Sequence, residues 1–113
     1  MSDPKRIFLV DDHPLVREWL GALIARHDDL TVCGEAESAP EALSGILRDK
    51  PDIAIVDLSL AGGSGIELIK DIAATCPRVA VLVLSMHEEP TYAERALRAG
   101  AMGYVVKRES TKN

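Results

Sequence analysis

Apolar residues in this chain follow two rhythms that take turns. Short unbroken runs read as strands, and between them lie longer stretches with apolar positions every three or four residues, which read as helices. The first strand enters at Lys5, runs through Ile7-Phe8-Leu9-Val10 and stops at Asp11-Asp12. His13-Pro14 then opens a helix, since proline suits a first helical turn. Val16, Trp19, Leu20, Leu23 and Ile24 carry it to about His27. Leu30 to Gly34 reads as a second strand, shorter and weaker and nearer an edge. Ser38 and Glu41 have capping-box spacing, which predicts a helix to about Asp49 that buries Ala42, Ile46 and Leu47. Pro51 blocks its continuation.

The next run, Ile53-Ala54-Ile55-Val56, is rich in β-branched residues and ends abruptly in Asp57. Its composition suits a strand buried on both faces of a sheet. A loop from Leu58 to Ser64 follows, with Gly62 and Gly63 adjacent. Ile66, Leu68, Ile69, Ile72 and Ala73 mark a third helix, stopped by Pro77. Val79 to Leu84 is the most hydrophobic strand and ends at Ser85. A helix from about Pro90 to Ala99 has Gly100 as its C-cap. Met102 to Val106 is a fifth strand that delivers Lys107, and a polar tail, Arg108 to Asn113, ends the sequence.

Strand and helix alternate without a hairpin signal, the pattern of an α/β domain with a parallel sheet and crossover helices on both faces. Right-handed crossovers and the two central apolar strands favour the order 2-1-3-4-5, with a switch point between the first and third strands. Parallel strands all point the same way. Asp11-Asp12, Asp57, Ser85 and Lys107 therefore collect at one rim, where open α/β sheets bind ligands.

Composition narrows the classes. A chain of 113 residues with 47% apolar content is one domain with a real core, not a disordered segment. No run approaches the roughly 20 apolar residues of a membrane span, and Met-Ser-Asp-Pro-Lys-Arg lacks the arrangement of a secretory signal. Cys33 and Cys76 have no metal-ligand spacing, so reduced thiols in a cytoplasmic protein are expected. A net charge of −5 argues against nucleic-acid binding by this chain itself.

Carboxylates gathered at one rim repel one another. Lys107 can reach across as a point charge, and a hard divalent cation can sit among the oxygens, where Mg²⁺ suits better than zinc. A lysine, a hydroxyl and Mg²⁺ around one carboxylate stabilise phosphoryl oxygens, and carboxylates are nucleophiles in phosphoryl transfer. The residues thus point to an Asp57 that becomes an aspartyl phosphate. They also fit an ordinary Asp–Lys network that only holds a sheet rim.

Val10-Asp11-Asp12-His13-Pro14, Gly34-Glu35-Ala36, Val56-Asp57-Leu58, Leu84-Ser85-Met86-His87 and Arg95-Ala96-Leu97-Arg98-Ala99-Gly100-Ala101, running into Gly103-Tyr104-Val105-Val106-Lys107, span nearly the whole chain. In order and spacing they resemble the response-regulator receiver domain of two-component signalling, in the group with a LuxR-type output domain (NarL/FixJ). The resemblance implies a flavodoxin-like doubly wound sheet over residues 1–113. It implies that Asp57 accepts a phosphoryl group from a histidine kinase, and that Asp12, Asp57 and the Ser59 carbonyl bind Mg²⁺ directly, with Asp11 acting through water. Lys107 would pair with Asp57 and then with the phosphoryl group. Ser85 would turn toward the phosphate, and Tyr104 would swing inward and remodel an output face that in the full-length protein controls transcription. Ser59 and His87 match positions that tune hydrolysis. Plainer roles also fit some residues: His13 as a helix start and Trp19 as packing surface, both favoured over a chemical role, and Tyr104 as a static aromatic.

Three departures carry consequences. Leu60-Ala61 stands where the family commonly has Met-Pro, which leaves the loop after Asp57 looser by roughly 0.4–1 kcal/mol of unfolded-state entropy. Arg108 stands where Pro often follows the lysine, so the Lys107–Arg108 bond is expected trans, a cis bond costing about 2.5–4 kcal/mol. Finally, no fifth helix follows Lys107. That forgoes gross burial of roughly 5–12 kcal/mol, against an ordering cost of similar size. The expectation is a shortened chain with no output domain, and hence no DNA contact of its own. The strip left bare near Trp19 and along the first and fifth strands would be covered by a second copy. Two other readings compete: a phosphate-independent interaction module, favoured by the looser loop, and an aspartate-nucleophile phosphatase. The latter normally needs a second Asp where Ser59 stands.

Overall fold

A computed structural model describes residues 3–58, 65–85 and 90–106, with the side chains of 90–92 and 106 left aside. Nine elements alternate along the described residues: β1 (Lys5–Val10), α1 (Pro14–Ala25), β2 (Leu30–Ala36), α2 (Ala39–Asp49), β3 (Ile53–Asp57), α3 (Gly65–Thr75), β4 (Ala80–Ser85), α4 (Pro90–Ala99) and β5 (Gly103–Val106). All strand pairs are parallel, in the order β2-β1-β3-β4-β5. This is the flavodoxin-like topology expected from the alternation.

Period-two side chains divide each strand between two cores. Phe8 and Val10, Ala54 and Val56, and Val81 and Val83 face one layer with Ile46 of α2, Leu68, Ile69 and Ile72 of α3, and Ala96 and Ala99 of α4. Ile7 and Leu9 face the other, which is closed by Ile24 of α1 with Leu20 and Val32 beside it. Among the described residues three helices thus cover one face and one covers the opposite face. That asymmetry corrects an expectation. Ala54 and Val56 are fully buried but Ile53 and Ile55 are only half-buried, so β3 is enclosed on one face and partly open on the other.

The helix ends follow their local chemistry. Ser38 caps α2 by accepting from the Glu41 backbone N–H at 3.4 Å. Gly100, at φ +125°, closes α4, with its own N–H donating to the Leu97 carbonyl and that of Ala101 to Ala96. Two details depart from the sequence reading. Leu47 is exposed rather than buried; Gly45 faces the core in its place, because the Phe8 ring fills the space beneath α2. And β2 is an edge strand but not a short one: a register shift between Ile7 and Phe8 lets it continue past Cys33, pairing Glu35 with Leu9 and Ala36 with Val10. In α1, of the apolar stripe only Ile24 is fully buried, and Trp19 is 37% exposed. Both cysteines are free thiols. No described helix is long and apolar enough to cross a membrane.

Candidate functional site

The parallel register decides which strand ends meet. Val10 pairs with Val56, so the residues that follow them, Asp11 and Asp57, leave neighbouring strands side by side. Asp57 pairs with Leu84, which sets Ser85 one step beyond it on the next strand, and Ser85 pairs with Val106. All lie at the carboxyl edge, on either side of the β1/β3 switch point. Asp11, Asp57 and Ser85 are the three buried polar or charged residues among the described ones, with Ser85 at 0% exposure. Polar groups are driven out of apolar cores unless satisfied, and all three have interaction partners.

A cluster forms here. Asp11, Asp12, His13 and Asp57 each present one ligand atom, and these atoms lie within 4.8 Å of one another. Asp11 is held by its own turn: Oδ1 accepts from the His13 backbone N–H at 2.8 Å and lies 2.9 Å from His13 Nδ1. His13 Nδ1 is also 3.1 Å from Asp12 Oδ1 and 3.9 Å from Asp57 Oδ2. Asp12 Oδ1 is buried yet accepts no hydrogen bond; the His13 nitrogen stands at ion-pair range but outside hydrogen-bond geometry. A buried carboxylate oxygen that lacks a hydrogen-bond donor, set among other carboxylates, is a group that a cation would satisfy. The oxygen-rich donor set fits Mg²⁺.

From the other side, Arg17 braces the loop. One guanidinium nitrogen donates to the Asp11 backbone carbonyl, and Nε donates to Glu35 Oε1 at 3.0 Å, which ties α1 and the extended end of β2 to the rim. Tyr104 lies across from Val83 on β5 and packs, half-buried, against the core under α3 and α4.

A sequence model described as the response regulator receiver domain matches residues 7–113. The chain belongs to this family. The receiver domain is 40% identical over 102 residues to the DNA-binding transcriptional activator DevR/DosR of Mycobacterium tuberculosis, covering 90% of this chain and 47% of that protein. It superposes on a LuxR-family two-component response regulator from Aurantimonas with a TM-score of 0.88 and 41% identity, over 93% of this chain and 75% of that one. It also superposes on the isolated receiver domain of RcsB from Salmonella enterica, solved with the phosphomimetic BeF₃⁻. There the TM-score is 0.87 and the identity 28%, over 94% of this chain and 79% of that one. This receiver domain spans about half the length of the curated relatives it matches, 47% and 49% for two of them.

Among the residues singled out from sequence, Asp11, Asp12 and Asp57 come together, and Ser85 reaches the same edge of the receiver domain. Tyr104 stands two residues before the end of β5, on the strand that ends opposite Ser85. Ser59, His87 and Lys107 lie outside the described residues, as do the loop from 59 to 64, the Lys107–Arg108 bond and the polar tail 108–113, for which no fifth helix is expected. Sequence reasoning gave His13 only a helix-start role and passed over Arg17. His13 does stand at the N-cap of α1, but without a side-chain cap bond. The available signal was adjacency: His13 stands two residues after Asp11, and Pro14 keeps its backbone extended at the same rim.

Proposed function

We propose that this receiver domain is a phosphoacceptor switch, with Asp57 as the residue modified. The observation that supports this is a buried strand-end aspartate clustered with two further carboxylates at the switch point of a response-regulator fold. In the reaction an Asp57 carboxylate oxygen forms a bond to phosphorus while the bond from phosphorus to the histidine nitrogen of a sensor kinase breaks. The departing imidazole takes a proton from solvent. Asp12, Asp57 and the Ser59 carbonyl would hold Mg²⁺ directly and Asp11 through water; the ion supplies charge neutralisation for the phosphoryl oxygens. Lys107 pairs with the new group, and the Ser85 hydroxyl turns to donate to it. Ser59 and His87 set how fast water removes it.

The readout follows from charge. Phosphorylation adds about −1.5 to −2 charges at the rim. Ser85, drawn toward them, vacates space into which Tyr104 moves, and the surface around α4 and β5 changes shape. The domain acts on itself rather than turning over a diffusible substrate. A sensor histidine kinase is its donor, and DNA is reached only through an output domain, as the transcriptional role of its relatives accords with. Free thiols fit a cytoplasmic setting. The strip expected along β1 is covered, since Ile7 and Leu9 are buried, and self-association falls instead to the half-open face along Ile53 and Ile55. Light scattering that stays monomeric at high concentration would remove that last element.

Incubation with acetyl phosphate and Mg²⁺, followed by intact mass measurement, tests the switch. The expected result is a gain of one phosphoryl group that Asp57→Asn abolishes. A well-folded wild-type protein that gains nothing at any Mg²⁺ concentration would instead favour a phosphate-independent interaction module.

A further inference from the structure

We propose that the cleft at the amino edge of the sheet, between the C-terminal ends of α2 and α3, binds a small amphipathic carboxylate: an apolar body with one anionic head. The cleft lies at the opposite edge from Asp57 and stands independently of the reading of the rim. Its cavity measures about 490 Å³, within the range of sites that take small organic ligands. Leu47 of α2, Pro51, Pro77 and Val79 give it apolar walls, and Cys76 adds a half-buried thiol. Lys50 and Arg78 line it as well. Apolar walls with a few polar groups are the composition of a small-molecule site.

Charge selects the ligand, because the other polar groups of the cleft are already committed. Asp52, the one carboxylate on the lining, accepts from the Arg6 backbone N–H at 2.8 Å. The Arg6 guanidinium donates to the Asp49 and Lys50 carbonyls, which meets the partial negative charge at the end of α2. At the end of α3 the Val79 N–H donates to the Cys76 carbonyl at 3.0 Å, and the Thr75 hydroxyl to the Asp71 carbonyl at 2.6 Å. Lys50 and Arg78, by contrast, form no ion pair among the described residues. In a chain of net charge −5, two such cations beside an apolar cleft are a local reversal of sign. A carboxylate meets them, and an apolar body lies against Leu47 and Val79. Lys50 carries a second sign. It is the one described non-glycine residue with positive φ, at φ 48°, ψ 60° on the C-cap of α2, and it precedes Pro51. Glycine or asparagine usually fills such a place. A lysine held there against local preference is explained by what its side chain brings to the cleft.

A ¹H–¹⁵N NMR titration with octanoate tests this, with acetate as the head alone and octanol as the body alone. Octanoate is expected to shift the amides of 47–52 and 75–79, with a dissociation constant of about 1 mM or below. It should bind at least about tenfold more tightly than acetate or octanol. It should also slow alkylation of Cys76 by iodoacetamide, while Cys33, outside the cleft, reacts as before. Lys50→Gly should lose about threefold in octanoate affinity, and Lys50→Gly with Arg78→Gln about tenfold. Both positions are exposed and glycine suits φ 48°, so these variants keep the fold, which far-UV circular dichroism checks. Shifts confined to other surfaces, or none up to about 10 mM octanoate, would overturn the site. Unchanged affinity in the double variant, or octanol binding as tightly as octanoate, would overturn the recognition of the anionic head.

Discussion

Alanine at Gly45 and alanine at Gly21 are the same chemical change in two helix interiors, and the structure gives them opposite signs. In each case a methyl group replaces hydrogen and removes backbone freedom from the unfolded chain, a gain of about 0.5–1 kcal/mol. At Gly21 a Cβ would meet nothing within 4 Å, so the gain is kept. At Gly45 it would lie 2.6 Å from Phe8 Cζ and 2.8 Å from Cε2. Phe8 is 1% exposed, and its ring is also closely approached by Gly34, where a Cβ would fall 2.7 Å from the same Cε2. With no room to swing away, the ring must strain or α2 must lift, at about 1–3 kcal/mol for overpacking. Gly45→Ala should therefore lose about 0.5–2 kcal/mol net, where Gly21→Ala gains up to about 1. Urea unfolding followed by circular dichroism measures both, and Phe8→Leu in the Gly45→Ala background should recover part of the loss relative to Phe8→Leu alone. If Gly45→Ala stabilises as much as Gly21→Ala, the packing of the ring against α2 is wrong.

Other substitutions probe the rim and its supports. Arg17→Ala removes a charged donor from the Asp11 carbonyl and should cost about 1.5–3 kcal/mol, with slower phosphorylation by acetyl phosphate; Glu35→Ala, whose carboxylate is half-exposed, should cost under about 1 kcal/mol. Equal effects of the two would show that the carbonyl bond contributes nothing. Asp49 accepts a hydrogen bond from Arg48 Nε at 3.0 Å, which, with the nearby charges of Arg48 and Arg6, holds its carboxyl below the usual carboxylate range. A folded-state pKa below the unfolded one gives stability that is present above the ordinary carboxylate range and lost as pH falls through the folded value. Urea midpoints should thus decline less for Asp49→Asn than for wild type between about pH 6 and 3, though solvent around exposed Arg48 keeps the difference small. A steeper decline in the variant would reverse the assignment.

Much of the architecture could be read from apolar rhythm because a parallel sheet leaves strong marks. Its central strands must be continuous apolar runs, and its helices must be amphipathic, so β3, β4 and α3 stand out without any knowledge of neighbours. What escaped depended on partners distant in sequence. The extra length of β2 comes from a register shift against β1, and nothing in Glu35-Ala36 announces a strand. Leu47 has the right spacing for the core, yet the Phe8 ring already occupies the space beneath α2, at Gly45. Ile53 and Ile55 are as apolar as Ala54 and Val56; what separates them is the unequal number of helices on the two faces among the described residues.

The rim was legible for a different reason. A parallel sheet converts a statement about sequence, that an apolar run stops at a polar residue, into one about space, because every run stops on the same side. Asp11, Asp57 and Ser85 needed only that rule and the strand order to be placed together. His13 and Arg17 sit on the crossover rather than on strand ends, so the rule says nothing about them. Their part depends on how the chain turns after Asp12. Pro14 holds His13 extended over the carboxylates, and one helical turn further on Arg17 returns to the Asp11 carbonyl. On the proposed reading the strand ends supply the reacting groups, and the turn after β1 supplies their alignment. Substitutions in that turn should therefore change how tightly ions bind and how fast Asp57 is modified, and leave the identity of the modified residue untouched.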